Sequence, residues 1–323
     1  MSTARPAAAP PVVRIVVVGD LAADVVLAPD RPLERGTDVA GRVTVSQGGS
    51  AANTAGWVAR LGASSSLVCS VGTDALGRSL VADMAARGVT VRAIRIASAR
   101  TDRIGVLVAP DGERSFVADR GAAQELRLER LRAAWFARAD VLHVPAYSLL
   151  GEPLGRAGLA AIAMARAAGA RISVDLASAA PLLAGGRGAA LDLLRAAAPD
   201  VLLANESEVA RLLGDGGRSD YATEAHTAAL LALAPAVVVK RGARGARVLE
   251  RAGGSVTDVA TRPLLAPDTT GAGDAFDAGF LVGWVGAIRA GLPAAAALRR
   301  GAAAGNRAAG RHLAAPRREL ALG

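Results

Sequence analysis

The sequence has few cysteines, few aromatic residues and no long apolar run, and each shortage excludes a class of protein. Its single cysteine, Cys69, among 323 residues rules out an internal disulfide and a cysteine-cluster metal site. The apolar run at 12–18 is interrupted by Arg14 and is too short to cross a membrane. It also lacks the order of charged, apolar and cleavable regions of a signal peptide. We therefore expect a cytoplasmic protein that does not bind membranes.

Lysine is almost absent, although the formal net charge is +9. The only lysine is Lys240, so the positive charge comes from arginines, which are scattered along the chain. No basic run with interleaved aromatic residues is present, and we expect no binding to nucleic acid. A modest positive field would still attract an anionic substrate such as a nucleotide.

What the sequence does have is a regular alternation of strand-like and helical patterns. The strand-like runs are 12–18, 66–71, 141–144, 171–174, 201–203 and 236–239, and the helical patterns are 51–61, 76–87, 155–168, 189–197 and 223–233. The strand-like runs are β-branched and apolar throughout, as is typical of strands buried on both faces. The alternation predicts an α/β fold with a mostly parallel sheet and helices on both faces.

Two half-polar segments interrupt this alternation. Residues 39–47 and 104–117 alternate as exposed strands do, and the second contains a hairpin turn at 110–112. We expect a small inserted β-lid over one site. The predicted division is an α/β core of 12–36, 48–100 and 122–316, a lid of 37–47 and 101–121, and a disordered tail of 1–11. Exposed edges of the lid strands would allow a homodimer to form through the lid.

The segment Asp268-Thr-Thr-Gly-Ala-Gly-Asp274 is the candidate for chemistry. Apolar residues recur at helical spacing from Phe276 onward, so a helix is predicted to begin near 271–274 with Asp274 in its first turn. The free N–H groups of such a helix start favour an anion, including the charge that develops on a transferred phosphoryl group. The carboxylate of Asp274 could accept a proton from an attacking hydroxyl. By itself the segment is equally compatible with an aspartate that only caps the helix.

This segment resembles the C-terminal motif of the PfkB/ribokinase family of carbohydrate and nucleoside kinases. A second segment, Gly48-Gly-Ser-Ala-Ala-Asn-Thr-Ala55, independently resembles that family's N-terminal motif, and the resemblance runs from about 12 to 316. It implies a ribokinase-like three-layer α/β/α sandwich that uses ATP and Mg²⁺. It also implies transfer of the γ-phosphoryl group to a primary hydroxyl of a sugar or sugar derivative. Asp274 would be the base, and the backbone of Gly271, Ala272 and Gly273 would form an anion hole.

On the acceptor side, the resemblance implies that Asp24, rather than Asp20, binds substrate hydroxyls. Gly48, Gly49, Asn53 and Arg120 are the other substrate-binding residues that it implies. The side chains alone leave alternatives open, because Asp24 could be a turn aspartate and Asn53 a helix cap. Arg120, at the end of the lid, could equally form a salt bridge between lid and core. Ser50 and Ala51 stand where many sugar kinases carry a larger or charged residue, which bears on substrate choice.

On the nucleotide side, Asn205-Glu-Ser-Glu208 resembles an element that helps to hold the magnesium–phosphate assembly. Glu208 would hold Mg²⁺, often through water, which suits an ion that prefers oxygen ligands. The implied nucleotide-binding residues are Asn205, Lys240, Gly242 and Gly245. Asp268 and Thr270 correspond to positions that bind a monovalent cation such as K⁺ in some members. From the residues alone, Asn205 and Glu208 could be helix-cap residues, and Lys240 a solvated strand end.

Two other functions stay open. The acceptor could be a nucleoside of the adenosine or pseudouridine type, although the candidates for stacking its base are few: Phe116, Trp135 and Tyr147. The scarcity of aromatic residues favours a sugar. The chain could also be a non-catalytic sugar- or nucleotide-sensing module, but the presence of Asp274 and of the Gly48–Gly49 pair favours an enzyme.

Overall fold

A nine-stranded sheet runs through the middle of the molecule in the computed structural model, which describes residues 12–109, 114–214, 223–264, 266, 269–315 and 319–320. The strands, in chain order, are β1 (Arg14–Val18), β2 (Ala22–Pro29), β3 (Gly41–Gly48), β4 (Ser64–Gly72), β5 (Val89–Ile96), β6 (Arg103–Val108), β7 (Arg114–Asp119), β8 (Val141–Pro145), β9 (Arg171–Asp175), β10 (Val201–Asn205), β11 (Ala236–Lys240), β12 (Ala246–Glu250) and β13 (Ser255–Val259). The large sheet has the order β13-β12-β11-β10-β9-β8-β1-β4-β5. Its strands from β11 to β5 pair in parallel, and β12 and β13 are antiparallel.

Helices cover both faces of this sheet. They are α1 (Ser50–Arg60), α2 (Ala75–Ala86), α3 (Leu154–Ala167), α4 (Ala179–Leu182), α5 (Arg187–Ala197), α6 (Glu206–Leu213), α7 (Glu224–Leu231), α8 (Ala272–Arg289) and α9 (Ala294–Leu313). Neighbouring residues of β1 enter opposite cores, because successive strand side chains point to opposite faces. Val16 packs in the core beside α3, α5 and α6, and Val17 packs in the core beside α1, α2 and α8. The predicted three-layer α/β/α sandwich is confirmed.

Within the residues that the structure describes, no helix has both the length and the apolar character that crossing a bilayer requires.

A second, smaller sheet has the order β3-β2-β6-β7 within the described residues. β2 pairs antiparallel with β3 and parallel with β6, so it is a central strand of this sheet. The predicted division placed residues 22–29 in the core. In the structure the chain leaves the large sheet after β1, and these residues pair with β3 and β6 of the small sheet. The predicted hairpin turn at 110–112 and the tail at 1–11 lie outside the described residues.

Polar residues end three neighbouring strands of the large sheet. Asp175 is the last residue of β9, Asn205 of β10 and Lys240 of β11, and the register places Asn205 opposite Lys240. Because the three strands are parallel, these side chains lie at one edge of the sheet. Ligands of open α/β sheets bind outside this carboxyl edge.

Small residues let α8 and α9 approach each other closely. A Cβ atom added to Gly279 would lie 2.6 Å from the Cβ of Ala308, and one added to Gly305 would lie 2.8 Å from the ring of Phe276. The packing of α9 therefore fixes the position of α8, whose first turn contains Asp274.

Candidate active site

The carboxylate of Asp274 is held from two sides by α1. Ser50 Oγ donates a hydrogen bond to Asp274 Oδ1 (2.7 Å), and Asn53 Nδ2 donates one to Oδ2 (2.8 Å). Gly271, the residue before α8, has a left-handed backbone (φ 82°), which turns the chain into the helix. Asp274 and Asn53, taken from two distant sequence motifs, therefore meet in space. Ser50 was expected to affect only substrate choice, and its contact with Asp274 was missed.

The pKa of the Asp274 carboxyl is raised to about 6. Burial is the main cause, and the charge of Asp175 adds to it, whereas the Ser50 and Asn53 hydrogen bonds and the charge of Lys240 lower the pKa. A carboxylate with this pKa is ionised at neutral pH and holds a proton more strongly than an ordinary aspartate. Both properties suit a general base.

Asp24, the aspartate predicted to bind the hydroxyls of the acceptor, lies buried in β2 beside Gly48. A Cβ atom added to Gly48 would overlap the Asp24 carboxylate, so the glycine is required for this close approach. Asp20, the aspartate not chosen as the hydroxyl-binding residue, has a different position. Its Oδ1 accepts a hydrogen bond from the Ala51 N–H (3.1 Å). Asp20 therefore provides an acceptor for one of the free backbone N–H groups at the start of α1.

Arg120 joins the small sheet to the large one. Its guanidinium lies 3.8 Å from Asp20 Oδ2 and 4.4 Å from the centre of the Tyr147 ring. These residues, with Leu154 and Pro181 among others, line a cavity of about 240 Å³. The structure thus contains the contact between lid and core that the sequence left open. A contact between Arg120 and a substrate stays a prediction.

Asn205 and Glu208 form a capping box at the start of α6. Asn205 Oδ1 accepts from the Glu208 N–H (2.9 Å), and Glu208 Oε2 accepts from the Asn205 N–H (2.8 Å). Burial, followed by the charge of Asp175, raises the pKa of Glu208 to about 7. In the part of the chain that the structure describes, no group of three or more His, Cys, Asp or Glu could hold a metal. The Glu208 carboxylate still suits Mg²⁺, which takes one or two protein carboxylates and completes its shell with phosphates and water.

Lys240 is buried at the sheet edge rather than solvated, so the solvated-strand-end alternative is wrong. Its Nζ donates to Asp175 Oδ1 (2.8 Å) and to Asp277 Oδ1 (3.1 Å), and its side chain is 13% exposed. Burial would lower the pKa of Lys240, but the negative charges of Asp175, Asp277 and Glu208 outweigh it and raise the pKa above its ordinary value. Nζ also lies 3.5 Å from the position of a Cβ on Gly273. The sequence analysis missed Asp175 and Asp277; nucleotide binding by Lys240 stays a prediction.

The remaining predicted residues that the structure describes lie in two turns. Gly242 and Gly245 lie between β11 and β12, and a Cβ added to Gly245 would overlap the carbonyl of Val259. The carbonyl of Thr270 accepts a hydrogen bond from His312 Nε2 (2.7 Å). Asp268 lies outside the described residues.

An α/β sandwich with a carboxylate at a helix start beside the carboxyl edge of its sheet places a candidate base next to an anion site, which suits phosphoryl transfer to an alcohol group. The chain matches the pfkB family carbohydrate kinase model over residues 13–319. It belongs to that family.

The chain is also similar to individual carbohydrate and nucleoside kinases. The chain is 33% identical over 273 residues to a fructokinase of Klebsiella pneumoniae, covering 84% of each chain. It is 30% identical to a ribokinase of Mus musculus over 81% of this chain and 79% of that one. The structure of an adenosine kinase from Sinorhizobium meliloti superposes with a TM-score of 0.79 at 25% identity, covering 96% and 97% of the two chains. The predicted family and enzyme class are confirmed, and the family uses ATP and Mg²⁺.

Proposed function

We propose that this chain transfers the γ-phosphoryl group of ATP to a primary hydroxyl of a sugar or sugar derivative, with Asp274 as the base. The observation that carries the proposal is the carboxylate of Asp274, fixed by Ser50 and Asn53 at the start of α8. The raised pKa of this carboxyl supports the role of base.

Each residue of the site has a separate role in the proposed reaction. Asp24 and Asn53 orient the acceptor, and Asp274 takes the proton of its hydroxyl as the oxygen attacks the γ-phosphorus. The bond between the γ-phosphorus and the bridging oxygen breaks, and ADP leaves. The N–H groups of Gly271 and Gly273 stabilise the charge on the transferred group. The Ala272 N–H, which was predicted to join them, donates instead to the carbonyl of Thr269 (3.1 Å). When bound, Mg²⁺ neutralises phosphate charge, and Glu208 would hold it, through water.

The acceptor is better explained as a sugar than as a nucleoside. Phe116, one candidate for stacking a base, is 59% exposed. Trp135 packs against the core, and the Tyr147 ring is covered by Arg120. The likeness to a fructokinase at 33% identity agrees with this preference. The likeness to an adenosine kinase supports the nucleoside alternative.

Asp274→Asn tests the base. The variant should bind ATP and acceptor within a few-fold of wild type but lose about 10²–10⁴-fold in kcat, the usual contribution of a general base. Asp192→Asn, at an exposed position of α5, is the matched control and should keep full activity. Turnover of Asp274→Asn within a few-fold of wild type would contradict the assignment.

A screen for ADP release with Mg-ATP tests the acceptor. It should cover pentoses, hexoses, keto-sugar acids and nucleosides. We expect turnover with one of the first three classes. Turnover with nucleosides alone would select the alternative acceptor, and no turnover at all would favour a sensing module.

A further inference from the structure

A histidine near the end of α9 holds the turn that leads into the proposed anion hole. His312 Nε2 lies 2.7 Å from the carbonyl oxygen of Thr270, and His312 Nδ1 lies 3.2 Å from Trp57 Nε1. A carbonyl oxygen only accepts hydrogen bonds, and an indole N–H only donates them. The two partners therefore assign the neutral form of His312, with its proton on Nε2.

The imidazole ring also packs tightly against the turn itself. A Cβ atom added to Gly271 would lie 3.1 Å from His312 Cε1 and 3.3 Å from His312 Nε2. On its other side, the ring meets the edge of the Trp57 ring, with 5.7 Å between the centres. The ring thus lies between α1 and the turn, where it lines a cavity of about 400 Å³ together with Asn53, Trp57 and Gly271.

This arrangement does not fit the monovalent cation that the family resemblance implies for Thr270. A cation coordinates the lone pairs of a carbonyl oxygen, whereas here the positive end of the His312 N–H dipole is directed at that oxygen. A cation on the same side would overlap the ring and be repelled by the N–H hydrogen.

We propose that the His312 N–H takes the place of a monovalent cation in this chain, so that phosphoryl transfer needs no K⁺. The inference rests on the proposed function. In a planar trans peptide, the N–H of Gly271 points away from the Thr270 carbonyl. A hydrogen bond to that carbonyl polarises the peptide and strengthens the Gly271 N–H as a donor of the anion hole. His312 is therefore a positioning residue, acting through the peptide between Thr270 and Gly271.

Activity in KCl and in choline chloride of equal ionic strength tests the idea. The kcat of wild type should differ less than about two-fold between the salts. In choline chloride, the kcat of His312→Ala should be about ten-fold or more below that of wild type, because small misplacements of an active-site group reduce the rate strongly. In KCl, part of this kcat should be restored. His312→Gln keeps an N–H donor for Thr270 and should stay near wild type in both salts. His226→Ala, on α7, is the matched control and should resemble wild type.

Two further measurements do not depend on turnover. A long-range ¹H–¹⁵N spectrum of histidine-labelled protein, compared with that of His312→Ala, should show His312 as the Nε2–H tautomer. The Tm of wild type should be equal in the two salts, whereas K⁺ should raise that of His312→Ala.

Three results would overturn the proposal: saturable activation of wild type by K⁺, full activity of His312→Ala in choline, or an Nδ1–H tautomer. These outcomes are distinct from failure of the proposed function. If the proposed function fails, wild type turns over no acceptor in either salt, and the tautomer is still measured.

Discussion

At the scale of single residues, four carboxyl groups share one ammonium group at the carboxyl edge of the large sheet. Lys240 donates to Asp175 and Asp277, and its charge also lowers the pKa values of Glu208 and Asp274. The pKa values of Glu208, Asp274 and Asp277 are still raised, because desolvation disfavours their charged forms by more than the single ammonium group offsets. Bound Mg²⁺ would supply the missing positive charge.

The raised pKa of Asp274 predicts an acidic limb in the pH profile. A base must be ionised, so kcat/KM should fall as pH drops through about 6 and level off above it. Ser50→Ala removes a hydrogen bond that favours the ionised form and should move this limb to higher pH. Ser98→Ala, in an exposed turn, should leave the limb unchanged. A wild-type profile that is flat from pH 5 to 8 would contradict the assignment.

The same shift links Asp274 to stability. Its native pKa of about 6 lies above the ordinary value of 3.8, so the native state binds more protons than the unfolded state between these values. The contribution of Asp274 to the free energy of unfolding is therefore lost as pH rises through about 6. At neutral pH the free energy of unfolding is therefore lower than it would be with an unshifted carboxyl group at this position.

Sequence motifs predicted Asp274 and Asn53 because glycine patterns mark both segments. Ser50 could have been found, since it lies three residues before Asn53 and such residues share one face of a helix. The partners of Lys240 were harder to predict. Only the strand order shows that β9 and β11 flank β10, and that arrangement brings Asp175 near Lys240.

At the scale of elements, the junction of β2, β3 and α1 depends on Gly48. Gly48→Ala should displace the Asp24 carboxylate and raise the KM for the acceptor about ten-fold or more, while the KM for ATP changes little. Gly56→Ala is the matched control, because a Cβ there would meet only Met84 Cε at 3.8 Å. It lies within α1 and should stabilise the protein by about 0.5–1 kcal/mol. An unchanged acceptor KM in Gly48→Ala would contradict the role of Asp24.

Periodicity predicted the parallel strands β1, β4 and β8 to β11 of the large sheet, because they are apolar on both faces. It missed the parallel edge strand β5, which exposes part of its side chains. It could not assign β2 to the small sheet. Residues 22–29 are as apolar as a core strand, and apolar content shows that a strand is buried but not which sheet it joins. The hairpin of β12 and β13 was also not predicted. β13 exposes one face, and β12 is mostly buried but contains Arg247 and Glu250, which weaken its apolar pattern.

At the scale of the whole molecule, the packing of α8 on α9 connects stability to catalysis. Gly279→Ala would bring a Cβ within 2.6 Å of the Ala308 Cβ, and such overpacking costs about 1–3 kcal/mol. It should also reduce kcat, because α8 carries Asp274. Gly286→Ala, on the exposed side of the same helix, has no atom within 4 Å of the new Cβ and should stabilise by about 0.5–1 kcal/mol. Urea unfolding and kcat measured on both variants check this. Equal stability of the two would contradict the close packing.

The burial of Lys240 has a consequence for how the protein can be labelled. It is the only lysine of the chain, and both of its carboxylate partners are almost completely buried. Only a deprotonated, accessible amine reacts with an acylating reagent, and the folded protein keeps this one protonated and enclosed. Acylation of Lys240 would therefore report the opening of the sheet edge. Its slowing by Mg-ATP would measure how strongly the nucleotide keeps that edge closed.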